Sequence, residues 1–292
     1  GPMSAMPPPS ASPLLAPAPA GPATDDHWVT LPQGRLFARR WSPPPQPGAD
    51  VLAPIVLFHE SLGCVDLWRG FPATLCAATG RPVVAYDRLG FGQSDPRPGM
   101  PPMDFVEEEA RTSLPALRAQ LGIGRYVALG HSVGGGMAVH CAAADTSGDC
   151  EALITIAAQA CVEERTLQGI REVRDQFHGN PGQLDRLARY HGGDVGRARW
   201  VLNAWVDTWL HPAFAGWSLQ SALAHVTCPV LAVHGAVDEY GSTEQAARIA
   251  RWAAGPVQVE ILPGAGHVPH REQPEGVAGL VAGFLNGVAE VR

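Results

Sequence analysis

The chain contains no lysine; all 21 residues counted as Lys plus Arg are arginines, set against 28 acidic residues. Schiff-base catalysis and pyridoxal phosphate attachment both require a lysine amine, so both are excluded. A P-loop is excluded too, because its phosphate-gripping lysine is missing. The formal net charge of -7 leaves no basic excess to neutralise phosphates, which speaks against a general nucleic-acid binder. No apolar run approaches the ~18 residues of a membrane span. The six cysteines, Cys64, Cys76, Cys141, Cys150, Cys161 and Cys228, form no C-x-x-C pair. They sit in apolar company such as "VHCAAA", and read as free buried thiols in a reducing compartment rather than a disulfide framework.

What is present is apolar material for a sizeable core: 46% of the 292 residues are hydrophobic and only 17% charged. This length allows one large domain or two small ones. Residues 1–26 are Pro/Ala-rich and read as a disordered leader, with Gly1-Pro2 as a tag remnant. "LLAPAPA" lacks the basic region and the apolar length of a signal peptide, so a cytoplasmic location is expected.

From His27 onward, short apolar runs alternate with helical spacing. "HWVTLPQGRLFARRW" holds two strand-like runs around Gln33-Gly34, a hairpin signal. "APIVLFHE", "RPVVAYD", "RYVALGH", "EALITIAAQ", "TCPVLAVHG" and "GPVQVEILPG" read as buried strands. "LWRGFPATLCAAT" reads as a helix closed by Gly80, and "MDFVEEEARTSLPALRAQLG" as a helix that Pro115 kinks or splits. Buried strands alternating with helices predict an α/β fold, a mostly parallel sheet covered on both faces.

"GHSVGGG", residues 130–136, stands between one such strand and a helix. Gly130-x-Ser132-x-Gly134 is the G-x-S-x-G nucleophile elbow in its required context. Glycines flank the serine because side chains there would collide with the neighbouring strand and helix. A serine hydroxyl needs a base, itself oriented by a carboxylate. Asp238 in "PVLAVHGAVDEYGS" and His267 in "VQVEILPGAGHVPHREQPE" follow later strands in the expected order.

With "AYDRLGFGQSD", these motifs make the chain resemble the α/β-hydrolase superfamily from about His27 to its end. The resemblance implies a doubly wound sheet of about eight strands with a helical cap inserted after the sixth, spanning about residues 160–226 of a 27–292 domain. It implies Ser132 as nucleophile, Asp238 as acid and His267 as base. Asp238 is favoured over Glu239 because the family's acid falls four residues after the strand-end His234 position. His270 is expected at a helix start or rim, His131 need not be catalytic, and Asp87 is expected to stabilise a turn. Neither His59-Glu60 nor His267-x-x-His270 gives a metal-binding geometry, so no metal and no cofactor are expected.

The oxyanion hole is expected from the backbone N–H groups of Val133 and Ser61. Most members of the superfamily carry glycine where this chain has Glu60. Glu60 is expected to cap nearby N–H groups in the turn, the alternative being a substrate-facing acid that selects a polar or cationic group. In the cap segment, Trp205 and Trp209 share a helix face near Trp200, Phe214 and Trp217, which suits either packing or a pocket roof over an apolar or aromatic acyl group. The reading is a serine hydrolase cleaving an ester, lactone or related acyl compound, with a small-molecule substrate and neither nucleic acid nor membrane span. The same scaffold also hosts C–C bond hydrolases, cofactor-free oxygenases, lyases and ligand receptors.

Overall fold

The computed structural model describes residues 21–291. Eight strands form one sheet in the order β1-β2-β4-β3-β5-β6-β7-β8. They are β1 (Ala23–Leu31), β2 (Gly34–Ser42), β3 (Ile55–Phe58), β4 (Val83–Tyr86), β5 (Tyr126–His131), β6 (Cys150–Ile156), β7 (Val230–Gly235) and β8 (Val257–Leu262). β1 and β2 form an antiparallel hairpin, β2 pairs antiparallel with β4, and the remaining pairs are parallel.

The continuous apolar runs follow from double burial. In β3, Ile55 and Leu57 face one core with α1 (Phe71–Thr79) and α11 (Pro274–Val291), through Leu75, Val281 and Leu285. Val56 and Phe58 face the opposite core with α2 (Phe105–Arg111), α3 (Ser113–Leu121), α4 (Val133–Ala144) and α9 (Glu244–Trp252), through Val106, Leu117, Met137 and Ile249. Successive side chains of a strand point to opposite faces, so both faces must be apolar. Each fully buried side chain of this size contributes about 1.5–3 kcal/mol.

Two sequence expectations are corrected. β1 begins at Ala23, so the last part of the expected 1–26 leader is strand, its Asp26 ion-paired with Arg39 on β2; residues 1–20 lie outside the described residues. β8 is not buried: it is the sheet edge, and Val259 and Ile261 are each 38% exposed. Of the two outcomes expected at Pro115, a kink or a split, the structure has the split: two helices that part at Thr112. Proline has no N–H for the carbonyl four residues back, here Arg111, and its ring clashes there. The break therefore falls one turn before the proline.

Between β6 and β7 the chain inserts α5 (Glu164–Gly179), α6 (Pro181–Ala188), α7 (Val195–Trp209), a 3-10 turn at Pro212–Phe214 and α8 (Gln220–Leu223). After β8 comes α10 (Pro269–Glu272). No helix among the described residues is long and apolar enough to cross a membrane.

Candidate active site

Ser132 joins β5 to α4 with φ 56° and ψ -122°, a left-handed conformation rare outside glycine. Such backbone costs about 1–3 kcal/mol and persists only where its surroundings fix it. Here the Ser132 N–H donates to the Ile156 carbonyl at 2.9 Å, and the Gly135 N–H donates to the Ser132 carbonyl at 2.9 Å. The flanking glycines are obligatory on steric grounds. A Cβ on Gly130 would lie 2.0 Å from the Gly134 carbonyl oxygen, and one on Gly134 would lie 2.0 Å from that of Phe58. Neither position has room for alanine.

Asp238 follows the C-terminal end of β7 and is buried. Its Oδ1 accepts the Tyr240 N–H at 2.8 Å, and its Oδ2 faces His267 Nδ1 at 2.9 Å. Burial raises its pKa, but the hydrogen bond to His267, the charge there, the Tyr240 N–H and nearby His234 together bring it below the ordinary carboxylate value. An ionised carboxylate only accepts, so His267 Nδ1 carries the proton and Nε2 is the free base. That Nε2 accepts the Ser132 hydroxyl at 2.9 Å.

His267 lies on the loop after β8, which passes directly over Gly235; a Cβ there would meet the Ala265 and Gly266 carbonyl oxygens at 2.3 Å. The loop is fixed from below as well, since His131 Nε2–H donates to the His267 carbonyl at 2.8 Å. His131 therefore positions backbone. Burial first, then neighbouring His270 and His267, hold its pKa well below the usual imidazole value. His270 opens α10 as expected but is buried, not at a rim.

A cavity of about 100 Å³ contains Ser132 and His267 and is bounded by Glu60, Ser61, Trp205, Trp209 and Tyr240, among others. A second, narrower one of about 30 Å³ shares Ser61, Trp205 and Trp209 and adds Val133, Met137, Phe91 and Trp200. Trp205 and Trp209 thus face both. Phe214 and Trp217 pack behind them, at ring-centroid distances of 5.0 and 5.5 Å from Trp209. Val133 is the first residue of α4, so its N–H has no intrahelical acceptor. Ser61 sits in the loop after β3, whose carbonyls at His59 and Glu60 are both gripped by the buried Arg88 guanidinium.

The carboxylate of Glu60 does not cap the turn. Among the described residues it has no hydrogen-bond or ion-pair partner, and it borders the Ser132 cavity and an adjoining one beside His267. The turn is closed instead by backbone, the Gly63 N–H donating to the Glu60 carbonyl at 3.1 Å. The turn therefore leaves the acid free.

Two neighbours of the serine were not anticipated from sequence. Gln159 Oε1 lies 3.3 Å from Ser132 Oγ, and the Tyr240 ring lies 4.8 Å from the His267 ring. The hydroxyl has one proton to donate, and His267 at 2.9 Å is the closer acceptor. Both residues stand just beyond strand ends, the zone where sites of open α/β sheets gather. No group of His, Cys, Asp and Glu suited to a metal occurs among the described residues, and all six cysteines are free.

Residues 55–280 match the model of the "Alpha/beta hydrolase family". The chain belongs to that family. Its solved relatives share the fold: proline iminopeptidase of Mycobacterium smegmatis, at TM-score 0.70 and 22% identity, covers 90% of this chain and 98% of its own. A thermophilic esterase from Thermogutta terrifontis follows at TM-score 0.65 and 22% identity, over 90% and 99%. Among curated proteins, human 1-acylglycerol-3-phosphate O-acyltransferase ABHD5 is 38% identical over 85 residues. That match spans 29% of this chain and about a quarter (24%) of the relative's length.

Proposed function

We propose that this alpha/beta hydrolase family member is a serine hydrolase that cleaves a carboxylic ester or lactone through an acyl-enzyme. One observation carries the reading: the unbroken line Ser132 Oγ, His267 and Asp238, with both links at 2.9 Å. His267 Nε2 takes the Ser132 proton while Oγ forms a bond to the substrate carbonyl carbon. The N–H groups of Ser61 and Val133 receive the developing oxyanion. As the bond from carbon to the leaving oxygen breaks, His267 hands that oxygen the proton. A water then gives a proton to His267 and attacks the acyl carbon. Collapse releases the acid, and the proton returns to Ser132. Asp238 stays ionised and stabilises the imidazolium.

The cavity beside Val133 has Phe91, Trp200 and Trp209 on its wall, with Arg88, Arg97 and Glu109 also lining it, and its aromatic part suits an apolar or aromatic acyl group. The helical insertion acts as the cap, with α7 bordering both cavities and α5 the one that holds Ser132. The test is a panel of p-nitrophenyl esters and lactones. Ser132→Ala is expected to lower kcat by at least about 10³-fold, and Asp238→Asn by about 10²- to 10⁴-fold. Turnover by Ser132→Ala within tenfold of wild type would contradict the reading.

A further inference from the structure

The geometry points to a cation-accepting leaving-group site: we propose that the Ser132 cavity selects esters whose alcohol carries a protonated or quaternary amine, held by Glu60, Trp205 and Tyr240. This rests on the serine-hydrolase reading. Its starting point is the unpartnered Glu60 carboxylate, which borders the same cavity as Ser132. His267, then Arg271 and Arg88, lie within electrostatic range of it. The two guanidinium groups are nevertheless engaged by the carbonyls of His59, Glu60 and Leu67. Among the described residues no arginine lines this cavity, although Arg271 lines the adjoining one, and the chain has no lysine to reach in.

The second observation is aromatic. Trp205 and Tyr240 border the cavity with ring centroids 6.1 Å apart and planes inclined at 60°. Indole and phenol faces attract a cation within about 6 Å of the centroid, and more strongly where water is displaced. An ammonium group seated in the cavity against both ring systems, with Glu60 on the same lining, gains the aromatic and the carboxylate contact at once. Burial raises the Glu60 pKa, and a bound cation offsets that penalty.

Side follows from chemistry. The leaving oxygen departs towards the group that protonates it, His267, and Tyr240 lies against that imidazole at 4.8 Å. Glu60 and Tyr240 flank His267 again in the adjoining cavity. The amine therefore belongs to the alcohol, and the acyl chain to the aromatic cavity by Val133.

The experiment compares a choline ester with its uncharged 3,3-dimethylbutyl isostere, both carrying the acyl group that the p-nitrophenyl panel favours. Wild type is expected to prefer the choline ester at least tenfold in kcat/KM, and the preference is expected to fall below about threefold in Glu60→Gln. Trp205→Leu, which removes the indole face and leaves the turn alone, is expected to reduce the preference too. Equal kcat/KM for the two esters in wild type overturns the inference alone, as does failure to cleave the choline ester while p-nitrophenyl esters turn over. Absence of any ester turnover overturns the hydrolase reading and this inference with it.

Discussion

A single carboxylate, Asp87, ties the loop after β3 to the loop after β4. Its Oδ1 accepts the Val65 N–H at 2.6 Å and its Oδ2 the Gln93 N–H at 2.8 Å. Gly92 is pressed against it, since a Cβ there would lie 2.2 Å from Oδ2. Burial pushes its pKa up to about 6 although both N–H groups favour the charged form. An asparagine offers one oxygen for two donors and turns an NH₂ onto the other. Asp87→Asn is expected to destabilise the protein by about 1–3 kcal/mol, read as a lowered urea midpoint with an unchanged m-value. An unaltered midpoint would contradict this role. Asp87 was read in "AYDRLGFGQSD" through family resemblance, Ser132 through the elbow after a buried strand, and Asp238 (over Glu239) and His267 through chain order together with that resemblance. The direction of the Glu60 carboxylate was not. Whether a loop carboxylate turns to its own backbone or into a cavity depends on neighbours distant in sequence, here Arg88 and Tyr240. Gln159 and Tyr240 escaped for the same reason, since neither stands in a motif that marks chemistry.

At the scale of elements, strands were legible because double burial demands continuous apolar runs. The edge position of β8 was missed, although Gln258 and Glu260 break the run of Val257, Val259 and Ile261 that a doubly buried strand would keep apolar. The helical insertion was legible as a long strand-free stretch, but its anchoring was hidden. His191, buried between α6 and α7, accepts the Gly92 N–H at Nδ1 (2.8 Å) and faces the Leu62 carbonyl with Nε2 (3.1 Å). Nδ1 as acceptor fixes the neutral tautomer, with the proton on Nε2. Burial holds the His191 pKa at about 4 and that of His270 at about 3. Unfolded, each imidazole takes a proton near pH 6.5. Below that pH the unfolded chain binds more protons, so stability falls as pH drops from about 6.5 towards 4. Asp87 acts in the opposite sense below about pH 6, because its folded pKa is the higher one, and it offsets part of the loss. Tm is expected to be lower at pH 5 than at pH 7.5. His191→Gln, which can still accept from Gly92 and donate to Leu62 but does not titrate, should show a shallower pH slope. A Tm flat or rising towards pH 5 in wild type would contradict this.

For the whole molecule, the sheet brings together residues far apart in sequence. Ser132 after β5, Asp238 after β7 and His267 after β8 meet at one edge of the strands because parallel strands place all their C-terminal ends on the same side. Residues of α5 and α7 line the space beside that edge, and Trp205 and Trp209 of α7 border both the cavity that holds Ser132 and the one beside Val133. Activation of Ser132 by His267 is the claim on which the mechanism and the leaving-group site both depend. Intact-protein mass spectrometry after treatment with a fluorophosphonate tests it most directly. The account predicts one adduct on the wild-type chain and none on Ser132→Ala. A folded wild-type chain that takes no adduct, or a Ser132→Ala chain that still takes one, would contradict it.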